Sequence, residues 1–220
     1  MFRRVFCILY VILIATPVWA QAKGEQKGAQ PGIFDFYVLA LSWSPTYCAD
    51  GGDKRNSAQC QLGVKNDFVV HGLWPQLEQG YPIDCISDEK ELPKTVLETA
   101  SHIFPDIRLA DRQWKRHGTC TARAPADYLA DIASARQQVV VPAPFKQPQS
   151  ELTLASSDIE KAFMAANPGL EPTMISVACR KAELQEVRIC FTKDLKGFRA
   201  CPELERGSCR ATSVKVPPVH

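Results

Sequence analysis

Four histidines supply the chain's side chains that titrate near neutral pH: His71, His102, His117 and His220. His71 ends the apolar run Phe68-Val69-Val70 and begins His71-Gly72-Leu73-Trp74-Pro75. A side chain at a strand end, before a glycine that frees the backbone, can face a cleft while staying rigidly held. The same segment reads equally well as a turn with a hydrogen-bonded histidine. His117 belongs to Arg112-Gln113-Trp114-Lys115-Arg116-His117-Gly118-Thr119-Cys120. On a helix, positions 113, 116 and 117 have i, i+3, i+4 spacing and share one face. A guanidinium that forks onto oxygens, an amide that hydrogen-bonds and an imidazole that moves protons together suit a phosphate. A solvated helix face fits that spacing as well. His102 reads as a surface or packing residue, and His220 as a frayed terminus.

The elements that must position these groups are readable in outline. Ile33 to Trp43 is rich in β-branched and aromatic residues, which predicts a buried strand. Phe68 to His71 predicts a second, short strand that Gly72 and Pro75 interrupt. Helical patterns run over Leu92 to Phe104, Arg108 to Cys120, Ala126 to Val139 (with Pro125 at a first turn) and Ser157 to Ala166, where Asp158 is near a cap position. Thr173 to Cys179 and Leu184 to Thr192 read as strands joined by a turn at Lys181-Ala182. Loops fill Cys48 to Lys65 and Val141 to Ser150. With no internal repeat and no dividing linker, a single α+β domain is the expected fold class.

The ends and the cysteines bound the compartment. Arg3 and Arg4, the apolar stretch Val5 to Thr16 and the small residue Ala20 form a secretory signal over residues 1–20, too short for a membrane span. Residues 21–32 are polar and read as a flexible leader, 33–212 as the catalytic domain and 213–220 as a tail. Two of the 26 Lys and Arg lie in the signal, so 24 remain against 24 Asp and Glu. A formally neutral chain excludes broad electrostatic wrapping of a polyanion, so any attraction must be local. Arg112, Lys115, Arg116 and Arg123 can supply it. Of nine cysteines Cys7 falls in the signal, and the even set of eight in an exported chain predicts four disulfides. No C-x-x-C pair is present, which disfavours a metal site.

His71 to Pro75 (HGLWP) and His117 to Cys120 (HGTC), in that order, resemble the two catalytic segments of the ribonuclease T2 family. The similarity runs from the Ile33 to Trp43 strand to about Cys209. The resemblance implies an α+β fold with a central antiparallel sheet flanked by helices, stabilised by disulfides Cys48–Cys60, Cys85–Cys120, Cys179–Cys209 and Cys190–Cys201. It implies a secreted, extracellular or periplasmic, monomeric endoribonuclease of low base specificity that needs no cofactor or metal and leaves DNA intact. Single-stranded RNA would be cut by attack of its own 2′-hydroxyl, giving a 2′,3′-cyclic phosphate. In that reading His71, Gln113 and His117 are the catalytic positions, with His117 the base and His71 the acid. Arg116 and Arg112 hold phosphate. Trp74 can stack on a base or pack beside the histidines, and core packing is the expected role of Trp114. Two imidazoles with ordinary pKa of about 6.5 imply a bell-shaped pH profile.

The sequence departs from the family's second segment, commonly H-E-W-x-K-H-G-T-C. Arg112 stands for the first His, Gln113 for the Glu and Arg116 for the Lys. Gln113 can orient a phosphate but cannot take a proton or support an imidazolium by charge. A weakened, RNA-binding relative is therefore the alternative, and a metal-dependent hydrolase using the same histidines a third reading.

Overall fold

The computed structural model describes residues 24–55 and 57–219; the signal expected over residues 1–20 and His220 lie outside them. In chain order the elements begin with β1 (Glu25–Lys27), β2 (Phe36–Trp43), α1 (Ser44–Tyr47), β3 (Phe68–Gln76), β4 (Tyr81–Ile83), α2 (Lys94–Ala100) and α3 (Ile107–Arg116). They continue with α4 (Pro125–Gln137), β5 (Leu152–Leu154), α5 (Ser156–Ala166), β6 (Ile175–Arg180), β7 (Glu183–Thr192), α6 (Pro202–Arg206) and β8 (Val214–Val216). The result is α+β.

A six-stranded sheet runs in the order β3-β2-β7-β8-β5, with β6 also paired to β7. β2 is antiparallel to both β3 and β7, which makes it an interior strand, beside the central β7. Strand alternation divides its side chains between two environments. Tyr37, Leu39, Leu41 and Trp43 enter the main core beneath the helices, while Phe36 and Val38 join Cys190 and Cys201 in a small cluster on the opposite face. Burial of each large apolar side chain contributes about 1.5–3 kcal/mol, so the sheet's position is strongly specified. Further along that second face, Ser42 of β2 meets Glu186 of β7.

β3 carries the feature that positions the chemistry. Ala40 pairs with Gly72 and Leu41 with Val70, so His71 is the extra residue of a β-bulge. In a regular strand two residues three apart point to opposite faces. The bulge resets the alternation, so His71 and Trp74 point to the same side while Val70 and Leu73 both stay in the core. Pro75 is tolerated because β3 is an edge strand, where a missing N–H leaves no central ladder bond unmade.

Several expectations are corrected here. β3 runs unbroken through Gly72 and Pro75, because the bulge and the edge position absorb both. The first strand begins at Phe36, not Ile33, which is 61% exposed. The Leu92–Phe104 helix contracts to Lys94–Ala100, since Pro93 fixes extended backbone before it. The Arg108–Cys120 helix ends at Arg116; His117 has φ −124° and Gly118–Thr121 forms a 3-10 turn. Residues 21–32 are not simply a loose leader: Glu25–Lys27 pairs in parallel with Tyr81–Ile83. Residues 213–220 are not simply a tail either, because Val214 and Val216 are fully buried around the outward Lys215. Backbone pairing, which polar composition does not reveal, orders both segments.

Other expectations stand. Pro125 opens α4, and Asp158 is in the first turn of α5, though Ala155 is its cap. Lys181 and Ala182 make the two-residue β6–β7 turn with φ of 52° and 60°, a geometry matched to the strand twist. The four disulfides join Cys48–Cys60, Cys85–Cys120, Cys179–Cys209 and Cys190–Cys201.

Candidate active site

α3 delivers the second histidine. Asp106 caps it, accepting from the Arg108 backbone N–H at 3.0 Å, and Lys115 and Arg116 place positive charge at the end where the helix dipole is negative. Ala110, Gln113 and Trp114 form its buried face. The helix stops at His117 because Gly118 lies against aromatic rings. A Cβ there would come within 2.3 Å of Trp114 and 2.9 Å of Tyr128. Tyr128 is held in turn by its hydroxyl, which donates to the Leu73 carbonyl at 2.9 Å. The Cys85–Cys120 bridge then ties this corner to the loop after β4.

Both histidines pack against Trp74. The indole centroid is 5.2 Å from the His71 ring, edge to face, and 5.4 Å from the His117 ring, tilted by 32°. Its Nε1 donates to Gln113 Oε1 at 2.8 Å, and the Arg188 guanidinium lies 5.4 Å from its ring centre. Gly72 makes this approach feasible: a Cβ at that position would sit 2.1 Å from Gln113 Oε1 and 2.5 Å from Trp74 Nε1.

Two cavities open beside these residues. The larger, about 720 Å³, is lined by His71, Gln113 and Arg116 together with Arg112, Ser42, Tyr47 and Asp106. The smaller, about 310 Å³, shares His71, Gln113 and Arg116 and adds His117, Trp74, Tyr81 and Arg188. The structure thus brings together His71, Trp74, Gln113, Arg116 and His117. Arg112 is exposed and lines the larger cavity alone, while His102 is exposed in the turn after α2 and lines neither.

The imidazoles sit in different electrostatic surroundings. His117 is only 6% exposed, and its Nδ1 is buried without a hydrogen-bond partner. Burial first, then the charges of Arg116 and His71, pushes its pKa down to about 3. It is therefore neutral and able to accept a proton. His71 Nδ1 hydrogen-bonds Glu186 Oε1. Burial alone would raise the Glu186 pKa, but His71 and Arg188 outweigh it and hold the carboxyl at about 2. Arg116 donates to Glu25 Oε1 at 2.6 Å on the site's outer rim, and Tyr81 donates to the same oxygen at 3.1 Å.

Sequence reasoning missed Glu186, Arg188 and Glu25. Glu186 and Arg188 left a signal: two opposite charges at period 2 inside the otherwise apolar Leu184–Phe191 run. Glu25 left none, because its place depends on the β1–β4 pairing. As for metal ligands, Cys48, Asp53 and Cys60 cluster among the described residues, but both sulfurs are spent in a disulfide.

Known proteins resemble this chain in sequence and in fold. The family model for the Ribonuclease T2 family matches residues 34–201. A ribonuclease of Aeromonas hydrophila is 37% identical over 118 residues, covering 54% of this chain and 50% of that protein. Ribonuclease DdI of Dictyostelium discoideum is 26% identical over 235 aligned residues, covering 98% of each chain. The chain thus spans half the length of the first relative and nearly all of the second. Among solved structures, an RNase-related protein from Calystegia sepium superposes with a TM-score of 0.66 at 19% identity, covering 85% of this chain and 98% of that one. At that identity the likeness supports the fold.

Proposed function

The chain belongs to the Ribonuclease T2 family, whose members are metal-independent endoribonucleases, and from that premise we propose that it cleaves single-stranded RNA by transphosphorylation. The observation that carries this reading is that His71 and His117 both pack against one indole and both line the smaller cavity, together with Gln113 and Arg116. A scissile phosphate seated there would be within reach of a neutral and a carboxylate-paired imidazole.

The reaction needs no protein nucleophile. His117 takes the proton of the ribose 2′-hydroxyl, whose oxygen attacks the adjacent phosphorus. The bond from phosphorus to the 5′-oxygen breaks as His71 donates a proton to that oxygen, leaving a 2′,3′-cyclic phosphate and a free 5′-hydroxyl. Arg116, with Arg112 behind it, stabilises the charge on the five-coordinate phosphorus, and its planar fork suits two phosphate oxygens. Gln113 acts through Trp74, whose ring supports both imidazoles; with His71, His117 and Arg188 already on that ring, we do not assign it to base stacking. Cys48–Cys60 and the other bridges suit an oxidising, extracytoplasmic compartment.

The test is cleavage of an oligoribonucleotide in EDTA, with the product ends identified by mass spectrometry. Cyclic phosphate ends, and resistance of an oligomer with one 2′-deoxyribose at the cleavage position, are the expected results. Binding without cleavage would favour the weakened relative that Gln113 allows.

A further inference from the structure

Glu186 is buried on the site side of β7, and its position there is fully used. The residue is 8% exposed. Its Oε1 accepts from His71 Nδ1 and, at 3.3 Å, from the Ser42 hydroxyl. Its Oε2 accepts from Arg188 Nε at 2.9 Å and lies 2.7 Å from Arg188 Nη2. Three neighbours, from β3, β2 and β7 itself, thus fix both oxygens, and the Arg188 guanidinium continues onto the Trp74 ring. The carboxylate is therefore oriented before any substrate arrives, and it is aimed at one ring nitrogen.

The consequence for His71 is chemical. It sits at a bulge, where the local backbone is the least regular part of β3, and its side chain is one-third exposed. An imidazole so placed needs an outside group to fix its rotation and to decide which nitrogen meets the substrate. A carboxylate on Nδ1 does both: Nδ1 keeps its hydrogen throughout, and Nε2 is left to face the cavity. We propose that Glu186 is a positioning residue for the reaction, holding His71 so that Nε2 delivers its proton to the leaving 5′-oxygen. The Nε2 proton passes to the oxygen that takes the P–O electron pair, while the Nδ1–H bond to Glu186 persists. This assignment rests on the transphosphorylation reading above. It also explains how the site keeps a carboxylate in contact with its histidine pair while position 113 is an amide.

The experiment compares two substrates. RNA has a poor leaving alkoxide that requires protonation, whereas a nucleoside 3′-(4-nitrophenyl phosphate) releases a stable phenolate with little need of an acid. Glu186→Gln should lower kcat on RNA by on the order of 10²-fold, within the range general acid catalysis supplies, and lower it only a few-fold on the nitrophenyl ester. KM should change little on either. Adding Glu186→Gln to His71→Ala should cost no further activity on RNA. Glu186→Asp, which keeps the charge, should show the same selectivity between substrates with a smaller loss, and it serves as the readout if the Gln variant does not fold. An equal loss on both substrates, or no loss on RNA, would overturn the proposal. Failure of the wild type to cleave RNA would instead overturn the underlying function.

Discussion

Trp74 Nε1 donates to Gln113 Oε1 at 2.8 Å, so Gln113, on the helix that ends at His117, fixes a ring that both histidines touch. An amide can fill this role without taking part in proton transfer.

Replacing Gln113 by Glu would keep an acceptor for Trp74 and add a negative charge one helical turn before His117. A nearby carboxylate favours the charged imidazole, so the His117 pKa should rise from its depressed value. An NMR titration of the His117 ring protons checks this. An unchanged midpoint would show that position 113 does not face the imidazole.

Gly72→Ala tests the close approach of strand and helix. The new Cβ would collide with Gln113 Oε1, and Trp74 would have to give way. Overpacking of this kind costs about 1–3 kcal/mol, and displacing the indole by about 1 Å should lower kcat roughly 10²-fold. Denaturant unfolding and RNA turnover measure the two effects. Unchanged activity would mean that Trp74 does not set the geometry of the histidines.

Acid should destabilise the fold through two groups with the same sign. His117 is ordinarily protonated below 6.5 but in the folded chain only below about 3. Between those values the unfolded state holds the extra proton, so stability falls as pH falls. Glu186, held at about 2 against an ordinary 4.5, contributes stability above 4.5 that is lost as pH drops toward 2. Urea midpoints should therefore decline steadily from pH 6.5 downward. In His117→Phe, which removes the titrating group, the decline between 6.5 and 4.5 should be weaker. A midpoint independent of pH across that span would contradict the burial of a neutral imidazole.

The same depression changes the expected rate profile. Two imidazoles with ordinary values would give a bell with an acid limb near 6.5. With His117 held neutral by burial, the acid limb of kcat/KM should lie well below 6.5. An acid limb at the ordinary value would show that the free enzyme exposes His117 more than the structure does.

Much of this was legible in the sequence because it depends on local pattern. The HGLWP and HGTC segments located both histidines, the 113/116/117 spacing identified side chains that share a cavity, and the long apolar runs marked β2 and β7. The bulge was not legible: Gly72 and Pro75 signal interruption, and only the register against Ala40 and Leu41 shows that β3 continues. The role of Glu186 was hidden for a related reason. Its partner His71 lies 115 residues away, and a charge inside a strand acquires meaning only when the neighbouring strands are placed. β1 and β8 are three residues each, too short for a periodic pattern to mark them.

The account stands on His71 and His117, which line one cavity beside Trp74, acting on the same phosphate. The most direct measurement is cleavage of a single-stranded oligoribonucleotide in EDTA by the oxidised wild type, beside His71→Ala and His117→Ala. The wild type should produce cyclic phosphate ends, and each variant, still folded by circular dichroism, should lose at least about 10²-fold in kcat. A folded variant of either kind that cleaves RNA at the wild-type rate would contradict it.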